Sequence, residues 1–128
     1  MIIFLYTSNI NYIFKGVILK EGFCYKKAAD TGKTRLFDSW KKRYFVLMET
    51  KVLYAATRED IFVKGGTKGT FKLTRTTKVV KNETESGAFN IINDNAEGGE
   101  QLRLKCDHHS DSSMWITSIS KAISQLNA

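Results

Sequence analysis

Apolar and polar residues alternate with a period of two in one short run after another along this chain. Alternation of that kind marks strands with one buried and one solvated face. Val17–Lys27, Trp40–Met48, Val52–Thr57, Thr70–Arg75, Lys78–Lys81, Ala88–Ile92 and Gln101–Cys106 all read this way. Turn residues such as Glu85-Ser86-Gly87 and Glu97-Gly98-Gly99 bound them. Seven strands at meander spacing imply a mainly β fold, a sandwich or barrel. Gly22 inside the first run suggests a bend or close approach. Residues 28–39 read as a long loop, and 58–69, with Gly65, Gly66 and Gly69, as another.

The period changes near the C-terminus. Trp115, Ile116, Ile119, Ala122, Ile123 and Leu126 form the apolar stripe of an amphipathic helix. Ser110 or Asp111 is expected to cap it. Its oily face needs a partner, and the open end of a small barrel supplies one. Fully burying Trp115, Ile119 and Ile123 contributes roughly 1.5–3 kcal/mol each.

With 128 residues the chain has room for one core, and its 42% hydrophobic content suits a folded domain. Met1–Phe14 is uncharged and rich in Ile, Phe and Tyr, yet Thr7, Ser8, Asn9 and Asn11 interrupt it too early for a membrane span. It lacks the features of a signal peptide. It reads as an extension, strand or short helix, ahead of a domain over 15–128.

Charge is divided unevenly. Residues 1–81 hold 17 Lys and Arg against 6 Asp and Glu, a net +11, while residues 82–128 hold 3 against 7, a net −4. A basic face on such a chain suits a polyanion, whether nucleic acid, phospholipid headgroups or an acidic protein. Cys24 and Cys106 make neither a disulfide framework nor a zinc spacing; a reducing setting is the better fit, with a bridge between them left open. His108-His109 has poor metal geometry, and no catalytic set of Ser, His and Asp or paired carboxylates emerges, so neither an enzyme nor a cofactor is expected. Nucleic acid is disfavoured because single-strand binders need exposed stacking aromatics, and most of the 15 aromatics here fall at core-like positions.

The most informative stretch is Trp40-Lys41-Lys42-Arg43-Tyr44-Phe45-Val46-Leu47. Lys41, Arg43, Phe45 and Leu47 share one strand face, cationic at its start and apolar further on. That order suits a strand that begins at an open, anion-binding rim and then enters a core.

This stretch resembles the second strand of pleckstrin homology domains, and Lys20-Glu21-Gly22-Phe23-Cys24-Tyr25-Lys26 resembles the first. Val52-Leu53-Tyr54 and Lys68-Gly69-Thr70-Phe71-Lys72-Leu73 are similar to the third and fourth, and Trp115 to the helix tryptophan. The resemblance runs from residue 17 to about 126. It implies a seven-stranded barrel of two near-orthogonal antiparallel sheets capped by one C-terminal helix. It also implies a cytoplasmic, non-enzymatic module, peripheral at membranes and expected to be monomeric, that binds phosphoinositide or other anionic phospholipid headgroups. A protein-interaction module on the same scaffold is the alternative.

Carried over from the family, Lys26, Lys41 and Arg43 would grip headgroup phosphates. Lys27, Lys33, Arg35, Lys64 and Lys68 would add secondary contacts, and Leu36 and Phe37 could dip into the bilayer interface. Three departures stand out. Fourteen residues separate Lys26 from Lys41, more than the family's usual seven to thirteen. Ala55 falls, to within a residue, where tight binders place a phosphate-bonding tyrosine. Asp30 and Asp38 also dilute the positive field of the first loop.

Overall fold

The computed structural model describes residues 2–9, 12–27, 40–94 and 100–128. Its strands are β1 (Ile2–Asn9), β2 (Tyr12–Lys27), β3 (Trp40–Met48), β4 (Lys51–Ala55), β5 (Gly69–Lys72), β6 (Lys78–Lys81), β7 (Ala88–Asn93) and β8 (Glu100–Lys105). Two helices are α1 (Arg58–Phe62) and α2 (His109–Leu126). The seven strands β2 to β8 make one antiparallel sheet in the order β5-β4-β3-β2-β8-β7-β6, and β1 pairs with the start of β2. The fold is mainly β with a C-terminal helix, as the alternation and the helical stripe imply.

Strand β2 is shared by both halves of the sheet. Its pairing with β3 runs from Ile18↔Met48 to Lys27↔Trp40, whereas β8 meets it only at Tyr25↔Lys105 and Lys26↔Leu104. β5 and β6 do not pair, so the barrel stays unclosed. Side chains bridge this gap: the Asn93 amide donates to the Lys72 carbonyl at 2.8 Å, and the Thr77 hydroxyl donates to Asn93.

A register slip between Ile18 and Lys20 decides which way β2 faces. One extra residue in a strand moves everything beyond it to the other side of the sheet. Ile18 therefore packs with Tyr44, Val46 and Met48, while Cys24 packs inside with Phe45 and Leu47.

Both faces of the far half of β3 are consequently buried. Inside, Phe45, Leu47, Val52, Phe89, Ile91 and Leu104 meet Trp115, Ile119 and Ala122 of α2. Outside, Tyr44, Val46, Met48, Leu53 and Ala55 lie under Ile61 and Phe62 of α1. Helix α1 corrects the loop reading of 58–69: Thr57 caps it by accepting from the Asp60 N–H at 3.1 Å. Five residues are too few to show a helical period, so alternation could not reveal it.

Helix α2 begins one residue before Ser110, with His108 as its N-cap and no side-chain capping bond. The expected caps are otherwise placed, since Ser110 and Asp111 lie within the first turn. Ile119 is fully buried and Trp115 nearly so, but Ile123 is only partly covered, so its share of the burial energy is smaller than full burial would give.

Candidate functional site

At the end of the β2–β3 ladder where residues 28–39 connect the two strands, Lys26 and Lys41 stand directly opposite each other, and Arg43 stands opposite Cys24. Directly paired residues of antiparallel strands share a face. Lys26, Lys41 and Arg43 therefore share the inner side with Cys24, Phe45 and Leu47, just beyond the core. Lys41 is exposed, while Lys26 and Arg43 are half-buried. Among the described residues no carboxylate forms an ion pair with any of the three.

Among the described residues the contacts of Lys26 and Arg43 are to backbone carbonyls and a ring, none of which cancels the charge. Arg43 donates one N–H to the Lys42 carbonyl at 2.9 Å, and the Lys26 ammonium sits 3.5 Å from the Lys27 carbonyl. Desolvation, then the neighbouring Arg43 charge, pull Lys26 below the usual lysine range. Like charges held close together while partly desolvated mark a candidate site for an anion.

Tyr54 completes the cluster. It pairs with Phe45 on β4, their rings 5.5 Å apart, and the Lys26 ammonium lies 5.4 Å from the centre of its ring. Burial raises the Tyr54 hydroxyl, against a smaller lowering by the Arg43 charge. The expectation about Ala55 is corrected here: Ala55 is buried on the opposite face, beneath α1, and Tyr54 takes the inward position. Placing Ala55 only to within a residue left the two faces undecided, although Val52 and Tyr54 alternate in step with the core.

Gly69, paired with Tyr54, makes this possible. A Cβ built on Gly69 would lie 2.3 Å from the Tyr54 Cζ and hydroxyl oxygen. The tyrosine ring occupies the space a side chain would need.

The secondary cations divide. Lys68 is exposed beside this pair, its N–H donating to the Tyr54 carbonyl at 2.8 Å. Lys64 lies 3.8 Å from Asp60 within its own segment. Lys27 points to the outer face, its ammonium 5.7 Å from the Trp40 ring, with Lys105 at 5.6 Å from the same ring. Trp40 is thus a packing residue for two lysine stems. Lys33, Arg35, Leu36 and Phe37, with Asp30 and Asp38, lie outside the described residues.

A cavity of about 360 Å³ opens elsewhere, between the β6–β7 turn and the start of α2, lined by Lys81, Asn82, Glu83, His109 and Ser112 among others. It shares no residue with the basic rim. Enclosed volume matters less for an anion than cationic donors on a shared face, and Lys26, Lys41 and Arg43 share one at the rim.

Comparison with known proteins supplies the last observations. The family model described as PH domain matches residues 18–124. No curated protein sequence matches the chain. The C-terminal PH domain of pleckstrin in complex with D-myo-Ins(1,2,3,5,6)P5 superposes with a TM-score of 0.65 at 25% identity, covering 86% of this chain and 99% of that one. The Slm1-PH domain in complex with inositol-4-phosphate gives a TM-score of 0.61 at 16% identity, covering 82% and 95%. The DH/PH fragment of PDZRHOGEF with human RhoA gives 0.64 at 15% identity, covering 84% of this chain and 29% of that one. At such low identity the last two carry the fold alone.

Proposed function

The chain belongs to the PH domain family, and we propose that it is a membrane-docking module whose basic rim binds phosphorylated inositol headgroups or other anionic phospholipids. The observation that carries this reading is the placement of Lys26, Lys41 and Arg43 on one inward strand face, unpaired with any described carboxylate, with the Lys26 ammonium against the ring of Tyr54. Arg43 offers a planar fork for two phosphate oxygens, and Lys26 and Lys41 act as movable point charges around it. Lys68 flanks the ligand, as do Lys33 and Arg35 from the first loop, where Leu36 and Phe37 enter the bilayer interface. The complex of pleckstrin's C-terminal PH domain with an inositol pentakisphosphate supports the ligand class.

In this reading residues 15–128 form the docking unit and residues 1–14 an extension of it. The module is cytoplasmic, acts by binding rather than catalysis, and reaches the bilayer peripherally. Among the described residues no helix is long and apolar enough to cross a membrane.

The test is sedimentation with vesicles of phosphatidylcholine containing a phosphoinositide, phosphatidylserine or phosphatidic acid. Each basic residue near an anionic surface contributes about 1 kcal/mol, so Lys41→Ala with Arg43→Ala should weaken binding about 30-fold. Raising the salt should weaken the parent protein in the same direction. Unchanged vesicle binding by a folded double variant rejects the site.

One observation favours protein docking as a second reading. Strand β1 is uncharged along its length and, among the described residues, pairs only with β2. An open strand edge can receive a partner's strand. Indifference to every vesicle, with partner capture lost on deleting residues 1–14, would select it.

A further inference from the structure

Two thiols that headgroup binding does not use meet inside the barrel. The Cys24 and Cys106 sulfurs are 3.4 Å apart, with the residues 1% and 5% exposed. Their position follows from the ladder. Tyr25 pairs with Lys105 and Lys26 with Leu104, so the next step along the same antiparallel register sets Cys24 opposite Cys106. Directly opposed residues of an antiparallel pair have Cα atoms about 4.5–5.5 Å apart, within the span of a disulfide. The backbone on either side is fixed. Cys24 lies within the β2–β3 ladder, and the Cys106 N–H donates to the Gly87 carbonyl at 3.2 Å.

We propose that Cys24 and Cys106 are an oxidation site, converted by a two-electron oxidant such as hydrogen peroxide into a disulfide within the chain. The Cys106 thiolate attacks one peroxide oxygen. An S–O bond forms, the O–O bond breaks, and the departing hydroxide becomes water by taking up the proton that Cys106 released on ionising. The Cys24 thiol then attacks the sulfur of the resulting sulfenic acid. The S–S bond forms, the S–O bond breaks, and the leaving hydroxyl takes the Cys24 proton as a second water. Two thiols are oxidised and one peroxide is reduced.

The order of attack follows from the shared proton. The contact with Cys24 lowers the Cys106 thiol, against the opposing effect of burial, and the same contact raises Cys24. Ser112 adds nothing to this, because its one proton goes to the Gly87 carbonyl at 2.6 Å. Cys106 also stands nearer solvent, at the end of β8 beside exposed Asp107 and His108.

The bond would reinforce the seam at which β2 and β8 share only two residue pairs, linking positions 82 apart in sequence. The oxidised form should therefore unfold at higher urea than the reduced form.

To test this, the folded protein is treated with hydrogen peroxide, then denatured, alkylated and digested with trypsin without reduction. The expected product joins peptide 21–26 to peptide 106–121, lacks two hydrogens relative to the free peptides, and separates with dithiothreitol. Dimedone added with the peroxide should label Cys106 in Cys24→Ala. Full alkylation of both thiols after oxidation, exclusive formation of sulfinic acid, or bridges only between chains would overturn the proposal. Mapping on the wild-type chain decides the matter even if the variant fails to fold, and it does not depend on vesicle binding.

Discussion

Gly69 and Tyr54 face each other across β4 and β5, and replacing Gly69 with alanine sets a methyl group against the ring. The new Cβ would lie 2.3 Å from Cζ and the hydroxyl oxygen and 2.7 Å from Cε1. Ordinary carbon contacts sit at about 3.5–4.0 Å, so the overlap exceeds about 1 Å. The neighbour is the far end of a half-buried side chain, so the ring can swing rather than force the backbone apart. Overpacking costs about 1–3 kcal/mol, and the lower part of that range applies here. Removing a strand glycine returns about 0.5 kcal/mol. The net loss is about 1 kcal/mol, a fall of about 0.5 M in the urea midpoint. Unfolding is followed through the fluorescence of buried Trp115. Headgroup affinity should fall further, by tenfold or more, because the swinging ring carries the hydroxyl away from Lys26 and Arg43. The decisive control is the Tyr54→Ala background, where Gly69→Ala should cost nothing or stabilise slightly. An equal loss in both backgrounds would refute the account of the ring and the glycine.

Three other substitutions probe separate parts of the molecule. Lys26→Met should raise the stability of the unliganded domain at neutral pH by up to about 0.5 kcal/mol in urea melts while weakening vesicle binding. The sign follows from the lowered folded-state pKa: the charge is unfavourable below that pKa, and the penalty is relieved as pH rises from it towards the unfolded value. Vesicle binding by the wild type should correspondingly weaken as pH climbs through the Lys26 titration. Tyr44 donates to Glu21, which also accepts from Arg58 at 2.8 Å, and burial first and that bond second push the Tyr44 hydroxyl up to about 12. Its contribution is complete below the unfolded value near 10 and disappears as pH rises to about 12, so Tyr44→Phe should flatten the alkaline loss of stability in that window. Ile119→Ala, at a fully buried position where α2 meets the sheet, should cost about 2–5 kcal/mol by urea denaturation.

What could be read from residue order alone was whatever repeats. Alternation revealed the strands, and the stripe from Trp115 to Leu126 revealed α2, because a long periodic segment averages over local exceptions. Single-residue events left no such trace. The slip beside Leu19 turns β2 over, yet Ile18 and Lys20 look like ordinary strand positions in the sequence. Helix α1 is one turn long, and it explains why Tyr44, Val46 and Met48 are as well covered as Phe45 and Leu47. The site shows the same division. Lys41 and Arg43 were legible because their spacing belongs to one strand, whereas the place of Tyr54 depended on pairing with β3 and on the vacancy at Gly69.

Strand β3 resembles a beam clamped at one end. Phe45 to Met48 are gripped from above and below, while Trp40 to Arg43 project beyond the grip. Rigidity is supplied by one set of residues and, under the proposed function, recognition by another, carried on the same short span of backbone. If the tip binds an anion as proposed, substitutions there should change which one is preferred without loosening the anchorage. Lineages could diverge in what they attach to while the architecture underneath stays constant.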